Sequence, residues 1–199
     1  MADRVLIYGV TGSGKTTLAR QLADRTGLPW HSVDDLTWEP GWVTISAEEQ
    51  RRRISAICAG DRWILDTAYS QWMDVVLERT DLIVALDYPR WWSLSRLVRR
   101  TFMRAVDRRP ICNGNTESFR QAFSRDSIVV WHFQSFTRKR DRMRAWSADP
   151  GGREVVLLKS PAATRRWLST APERIAPAGR SGSAAGARES AELAPDDGT

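Results

Sequence analysis

The chain has 199 residues, 42% of them hydrophobic and 27% charged, which fits one globular domain of mixed helix and strand. No run approaches the ~18 apolar residues of a membrane-spanning helix, and the N-terminus enters a strand-like segment directly, without a basic head and apolar signal core, so the chain reads as cytoplasmic with no membrane partner. Two cysteines, Cys58 and Cys112, and two histidines, His31 and His132, are too few for a structural zinc site or a disulfide framework.

In chain order, Val5-Leu6-Ile7-Tyr8 is a continuous apolar run, as expected of a strand buried on both faces of a parallel sheet. Lys15 to Thr26 then places Leu18, Leu22 and Ala23 on one helical face, with Gly27 and Pro29 as the stop. Trp30 to Val33 reads as a second strand ending at Asp34-Asp35. Ser46 and Glu49 form an S-x-x-E box opening a helix towards Gly60. Trp63-Ile64-Leu65 is a third strand ending at Asp66, Gln71 to Arg79 a helix, and Leu82 to Leu86 a fourth strand ending at Asp87.

Beyond that point the charge changes character. The net charge of the chain is +6, and all but three of its 30 cations are arginine. Between Arg90 and Arg144, 13 arginines and one lysine stand against four acids, a net charge of +10 in 55 residues. Such a block should meet something anionic, either phosphates of a small substrate or a nucleic-acid backbone. Its pattern gives two helices, Arg90 to about Asp107 and about Thr116 to Trp146, joined by a Pro-, Asn- and Gly-containing lid or flap over roughly 105–118. A last strand, Glu154 to Leu158, leads into a helix with Ser160 as N-cap and Pro161 at its first position, ending near Leu168. Strands alternating with helices predict an α/β domain over 1–170, with helices on both faces of a parallel sheet. From 171 to 199 large apolar residues are scarce, and the segment reads as a disordered tail.

Gly9-Val10-Thr11-Gly12-Ser13-Gly14-Lys15-Thr16 matches G-x-x-x-x-G-K-[ST] at every position, with the required strand before it and helix after it. Gly9, Thr11, Gly12, Ser13, Gly14, Lys15, Thr16 and Thr17 are therefore the expected ATP-binding residues. Backbone N–H groups and the helix N-terminus cradle phosphate, Lys15 reaches the β- and γ-phosphates, and the Thr16 hydroxyl ligates Mg²⁺. Ligands of an open parallel sheet sit beyond the carboxyl ends of its strands, where Asp34, Asp35, Asp66 and Asp87 all fall. Asp66 has the form of the acid that holds the hydrated Mg²⁺, and Asp34 is suited to meet an acceptor as base or anchor. Arg96 and Arg100, at i and i+4, offer rigid bidentate forks for the charge that develops in phosphoryl transfer. Trp38 and Trp42 flank Pro40-Gly41 after the second strand and are acceptor-site candidates.

With these pieces in place the chain resembles the adenylate-kinase-like P-loop kinases, and among them the bacterial group labelled DNA topology modulation protein, or FlaR-like. The resemblance rests on the P-loop with Thr17-Leu18-Ala19, on His31 to Trp38 leading to Pro40-Gly41-Trp42, on Trp63-Ile64-Leu65-Asp66 with Tyr69, on Leu86 to Arg90, and on Asn113-Gly114-Asn115 with Glu117. It implies a P-loop NTPase fold of three α/β/α layers with five parallel strands in the order 2-3-1-4-5, ATP and Mg²⁺ at the P-loop, and an arginine-bearing lid. It also implies an acceptor site at Asp34, Asp35, Trp38, Trp42 and Tyr69. Adenylate kinases carry Asp-Gly-Phe-Pro-Arg after the third strand. Here the segment is Asp66-Thr67-Ala68-Tyr69-Ser70, without the Gly or the Arg that grips AMP, so the acceptor stays open. The expected activity is transfer of the γ-phosphoryl of Mg-ATP to a small-molecule or nucleotide acceptor. The alternative is a nucleotide-binding regulator that contacts nucleic acid through the Arg90–Arg144 block.

Overall fold

Strand β1 (Arg4–Gly9) lies at the centre of a five-stranded sheet because both of its faces are apolar and both of its edges find partners. In a computed structural model, which describes residues 1–41, 43–107 and 128–175, the strands that follow are β2 (Trp30–His31), the short pair β3 (Trp38–Glu39) and β4 (Val43–Thr44), β5 (Trp63–Leu65), β6 (Leu82–Leu86) and β7 (Glu154–Leu158). The helices are α1 (Lys15–Thr26), α2 (Val33–Thr37), α3 (Ala47–Cys58), α4 (Met73–Arg79), α5 (Arg90–Asp107), α6 (Ile128–Ala148) and α7 (Pro161–Arg174). The main sheet runs β2-β5-β1-β6-β7, all parallel, which is the order 2-3-1-4-5 among its own strands.

Alternation along the strands divides the core into two layers. Val5, Ile7, Leu82, Val84 and Leu86 pack with α1 and α7 on one face. Leu6, Tyr8, Ile83, Ala85, Trp63 and Leu65 pack with α3, α4 and Met143 of α6 on the other. Each face removes several large apolar side chains from water, at about 1.5–3 kcal/mol per side chain, so the central strand cannot slip by one residue without exchanging the two layers.

Local chemistry sets most of the element ends. Gly14 (φ 97°) and Gly27 (φ 67°) bracket α1 in the left-handed region, and the Gly27 N–H closes the helix on the Ala23 carbonyl. Ser46 caps α3 by accepting from the Glu49 N–H (3.1 Å), but only half of the anticipated capping box forms. The Glu49 carboxylate turns instead to Arg52 (2.6 Å) and Arg53 (2.8 Å), which hold its pKa down to about 2.

Three expectations are corrected. The second strand stops at His31 and not at Val33, because Ser32 caps the helix that carries Asp34 and Asp35, and the Thr37 hydroxyl closes back on the Val33 carbonyl (2.9 Å). The residues around Pro40-Gly41 form the antiparallel β3–β4 hairpin, with Gly41 at φ +85° in its turn. The last helix passes Leu168 and runs to Arg174. Ala171 is buried there, and Ile175 bridges to Ala2, so residues 171–175 belong to the domain and not to the tail. Helix α5 ends at Asp107, as expected, and the remainder of the expected flap, the segment to residue 127, Trp42 and residues 176–199 lie outside the described residues.

Candidate active site

The phosphate-binding loop joins the carboxyl end of β1 to α1, and its glycines are required by what stands against it. A Cβ on Gly12 (φ +82°) would lie 2.4 Å from the Ser93 carbonyl oxygen of α5, and one on Gly9 would lie 2.8 Å from the Ser13 hydroxyl and 3.1 Å from Leu86 Cβ. The Ser13 hydroxyl is buried without a hydrogen-bond partner, an open polar group inside the loop. Lys15 Nζ folds back to the Val10 carbonyl at 3.2 Å. Its pKa is lowered by burial, against the pull of the Asp34 and Asp66 carboxylates, and Arg100 lowers it further.

Asp66 follows β5 and is buried. One oxygen accepts from the Thr16 hydroxyl at 2.8 Å and the other from the Val33 N–H at 3.0 Å. Burial raises its pKa, opposed by those two hydrogen bonds and by Lys15. A hydroxyl and a carboxylate that meet beside the P-loop suit a hard cation such as Mg²⁺, which takes few protein ligands and completes its shell with water and substrate phosphates. Among the described residues no group of three or more His, Cys, Asp or Glu side chains is placed to hold a metal ion.

Asp34 is exposed on α2 and accepts from the Tyr69 hydroxyl at 2.7 Å. Burial pushes the Tyr69 pKa up and the Asp34 charge adds to this, while Thr37 and Trp38 also lie against that hydroxyl. The Tyr69 ring is tilted on Trp72 (centroids 5.4 Å apart), whose indole N–H donates to Gln50. Lys15, Thr16, Asp34, Asp66, Tyr69 and Trp38 therefore converge. Asp35 points elsewhere, lining an open groove of about 390 Å³ with Arg20, Trp30, His31, Ser32 and Leu36.

From the opposite side, Arg96 of α5 lays its guanidinium over the P-loop, with both terminal nitrogens 3.4 Å from where a Cβ on Gly14 would stand. Arg100, one turn further along α5, is exposed and close enough to Lys15 to lower its pKa. Thr17 is exposed in the first turn of α1, while Thr11 uses its carbonyl to accept from Nδ1 of the buried His132 at 3.1 Å. That contact assigns the proton to Nδ1, and burial lowers the His132 pKa.

Asp87 departs from expectation. Although it ends β6, it is fully occupied by α6, through Arg140 (2.8 Å) and Arg144 (3.3 Å), and so docks a helix without facing the phosphate loop openly. Three residues of the site were not singled out from sequence: His132, Lys139 and Tyr8. Lys139 Nζ lies 5.9 Å from the Tyr8 ring centre, and Arg142 of the same helix donates to the Tyr8 hydroxyl at 3.3 Å. Nothing local marks His132 and Lys139, which reach the P-loop from more than 120 residues away, and Tyr8 reads as one more apolar position of β1. The basic block is therefore not one continuous solvated face, because Arg140, Arg142 and Arg144 are engaged within the fold.

Among the described residues no helix is long and apolar enough to cross a membrane. No protein-family model matches the chain, and no curated protein matches it. Among solved structures it is similar to an unliganded sugar kinase from Janibacter sp., at 20% identity and a TM-score of 0.50 over 88% of this chain and 99% of that one. A gluconokinase from Sinorhizobium meliloti (14% identity, TM-score 0.48, 86% and 94% covered) and a deoxyadenosine kinase from M. mycoides with bound dCTP (11%, 0.46, 86% and 99%) also match. With the sheet order and the P-loop already described, the chain has the α/β P-loop NTPase fold of such kinases.

Proposed function

We propose that the protein is an ATP-dependent kinase, as its resemblance to the adenylate-kinase-like and FlaR-like chains implies, and that it transfers the γ-phosphoryl group to a small-molecule or nucleotide acceptor, with a hydroxyl as the group that the exposed Asp34 carboxylate suits best. The observation that carries this reading is the convergence of Lys15, Thr16, Asp66 and Asp34 at the carboxyl end of the sheet, with Arg96 laid over the same loop. A nucleotide-binding regulator would need the loop and the Thr16–Asp66 pair, but not an exposed carboxylate held by the hydroxyl of a half-buried tyrosine.

Lys15 and the N-terminus of α1 bind the β- and γ-phosphates of ATP. Thr16 and Asp66 would hold Mg²⁺, whose charge neutralises those phosphates. Asp34 accepts the acceptor's hydroxyl proton through the oxygen that Tyr69 leaves free. The acceptor oxygen then bonds to the γ-phosphorus as the bond from phosphorus to the β–γ bridging oxygen breaks, releasing ADP. Arg96 and Arg100 stabilise the charge on the moving phosphoryl group. Because catalysis of this kind is mostly positioning and electrostatics, the residues that hold the loop matter as much as those that touch the phosphates.

The test is ADP release from Mg-ATP with a panel of nucleosides, nucleoside monophosphates and hydroxylated metabolites, comparing the native chain with Lys15→Ala and Asp34→Asn. Acceptor-dependent release that Lys15→Ala abolishes and Asp34→Asn reduces by about 10²–10⁴ supports the kinase and the base. Unchanged ATP affinity in Lys15→Ala would refute the nucleotide site, and full transfer in Asp34→Asn would refute the role of Asp34.

A further inference from the structure

Helix α6 is held on the domain by contacts outside the phosphate loop: Arg140 and Arg144 on the buried Asp87, Arg142 on the Tyr8 hydroxyl, and Met143 in the core layer beneath. His132, about two turns before Arg140 on the same helix, makes a contact of another kind. Its side chain is fully buried, and its Nδ1 lies 3.1 Å from the carbonyl oxygen of Thr11, within the loop itself. The other ring nitrogen closes on the Ser93 hydroxyl of α5 at 3.5 Å, and the Phe136 ring is tilted against the imidazole with 5.5 Å between centroids.

A carbonyl oxygen can only accept, so Nδ1 carries the proton and His132 donates to Thr11. The Thr11–Gly12 peptide is trans, which points its carbonyl and its N–H in opposite directions. Holding the carbonyl towards α6 therefore turns the Gly12 N–H away from α6. Gly12 is pinned as well, because its Cα backs onto the Ser93 carbonyl of α5, where a Cβ would stand only 2.4 Å away. One peptide of the loop is thus fixed from two helices, and those helices meet each other through Ser93 and His132.

A phosphate cradle works through convergent backbone N–H groups, and a peptide free to flip would replace a donor with a carbonyl that repels phosphate. We propose that His132 is a positioning residue of the phosphate loop, which by donating to the Thr11 carbonyl keeps the Gly12 N–H directed at the nucleotide phosphates. This rests on the nucleotide-binding reading of the same loop, and it adds a residue that lies outside the G-x-x-x-x-G-K-[ST] motif and 121 positions along the chain from its partner. Because α6 keeps its other anchors without this bond, loss of the donor acts on the loop and not on the docking of the helix.

The test measures Mg-ATP affinity by calorimetric titration, together with Tm, for the intact native chain and for His132→Leu, His132→Asn and Phe136→Leu. Leucine fills the space without a donor, asparagine places an amide N–H where Nδ1 stands, and Phe136→Leu loosens the same packing but leaves the bond. All three should lower Tm. Only His132→Leu should weaken Mg-ATP binding by about tenfold, the other two staying within about threefold of native. Affinity that simply follows Tm across the variants, or native affinity in His132→Leu, overturns the proposal. The native chain supplies a check that needs no variant to fold, since it has two histidines and isotope-labelled histidine lets NMR follow each ring. By reciprocity of linked equilibria, saturating Mg-ATP should slow solvent exchange of the His132 Nδ1–H by about the same tenfold factor. A bare Nδ1, or exchange that Mg-ATP leaves unchanged, refutes the positioning role. A native chain that binds no Mg-ATP at all defeats the nucleotide reading and this proposal with it, whereas native binding that His132→Leu does not alter defeats the proposal alone.

Discussion

Gly12 and Gly152 have nearly the same backbone conformation, φ +82° and +81°, but opposite surroundings. A Cβ on Gly152 meets nothing within 4 Å, whereas one on Gly12 falls 2.4 Å from the Ser93 carbonyl oxygen and 3.1 Å from Leu97 Cβ. Alanine at either position carries the left-handed penalty of about 1–2 kcal/mol, partly offset by the lower entropy of the unfolded chain. Only Gly12→Ala must also push the loop and the α5 backbone about 1 Å apart to restore an ordinary carbon–oxygen contact, which adds about 1–3 kcal/mol. At about 2–4 °C per kcal/mol for a chain of this length, Gly152→Ala should lower Tm by about 2–5 °C and Gly12→Ala by roughly twice that or more. Nucleotide affinity, measured by calorimetric titration with Mg-ATP, should fall by at least about tenfold in Gly12→Ala, because the displaced amides no longer converge on phosphate, and should be unchanged in Gly152→Ala. Equal Tm losses in the two variants, with affinity intact in both, would refute the reasoning that contact with α5 shapes the phosphate loop.

Other perturbations test the remaining contacts. Asp66→Asn should keep the fold but raise the Mg²⁺ concentration needed for nucleotide binding by about tenfold or more, checked by titrating Mg²⁺ at fixed ATP. Tyr69→Phe removes the 2.7 Å hydrogen bond to Asp34 and should lower kcat by roughly 3–10-fold with KM for ATP unchanged, the loss of about 1 kcal/mol of positioning. The His132 pKa is lowered in the folded state, so its neutral form contributes stability that is complete above the ordinary value of 6.5 and is lost as pH falls through that value towards the folded pKa. His132→Gln should accordingly flatten part of the fall in Tm below pH 6.5, with a further share from His31, whose pKa burial also lowers, and at lower pH from paired carboxylates such as Asp81. Lys139→Met should stabilise the ligand-free protein by on the order of 1 kcal/mol. That gain should be greatest below about pH 7 and fade as pH rises towards 10.5, where the unfolded lysine also becomes neutral.

The elements that could be read in advance are those whose information lies within a few residues. The apolar run Val5–Tyr8, the glycines and Lys15 of the loop, the Ser46 and Ser160 caps and the Leu82–Leu86 strand each announce themselves through periodicity, a cap or a backbone requirement. Strand order came from the family resemblance, and the sheet follows it. Helix α2 was missed because two short competing patterns overlap at Trp30–Asp35, and the Ser32 cap, with Val33 buried beneath it, decides between them.

The sequence by itself therefore determined the alternation of strands and helices, the phosphate loop and the acids that follow the strands, because each depends on covalent neighbours and on a repeat of two or 3.6 residues. Only the tertiary structure decided how those acids are used: Asp66 beside Thr16, Asp34 under Tyr69, and Asp87 tied to α6. It alone also brought His132 and Lys139 to the neighbourhood of the loop. The physical reason is that a side chain's partner across 50 to 130 residues is set by which helix packs on which strand and in what register. A charged residue carries the same local signature whether it faces solvent, a buried counter-ion or a substrate.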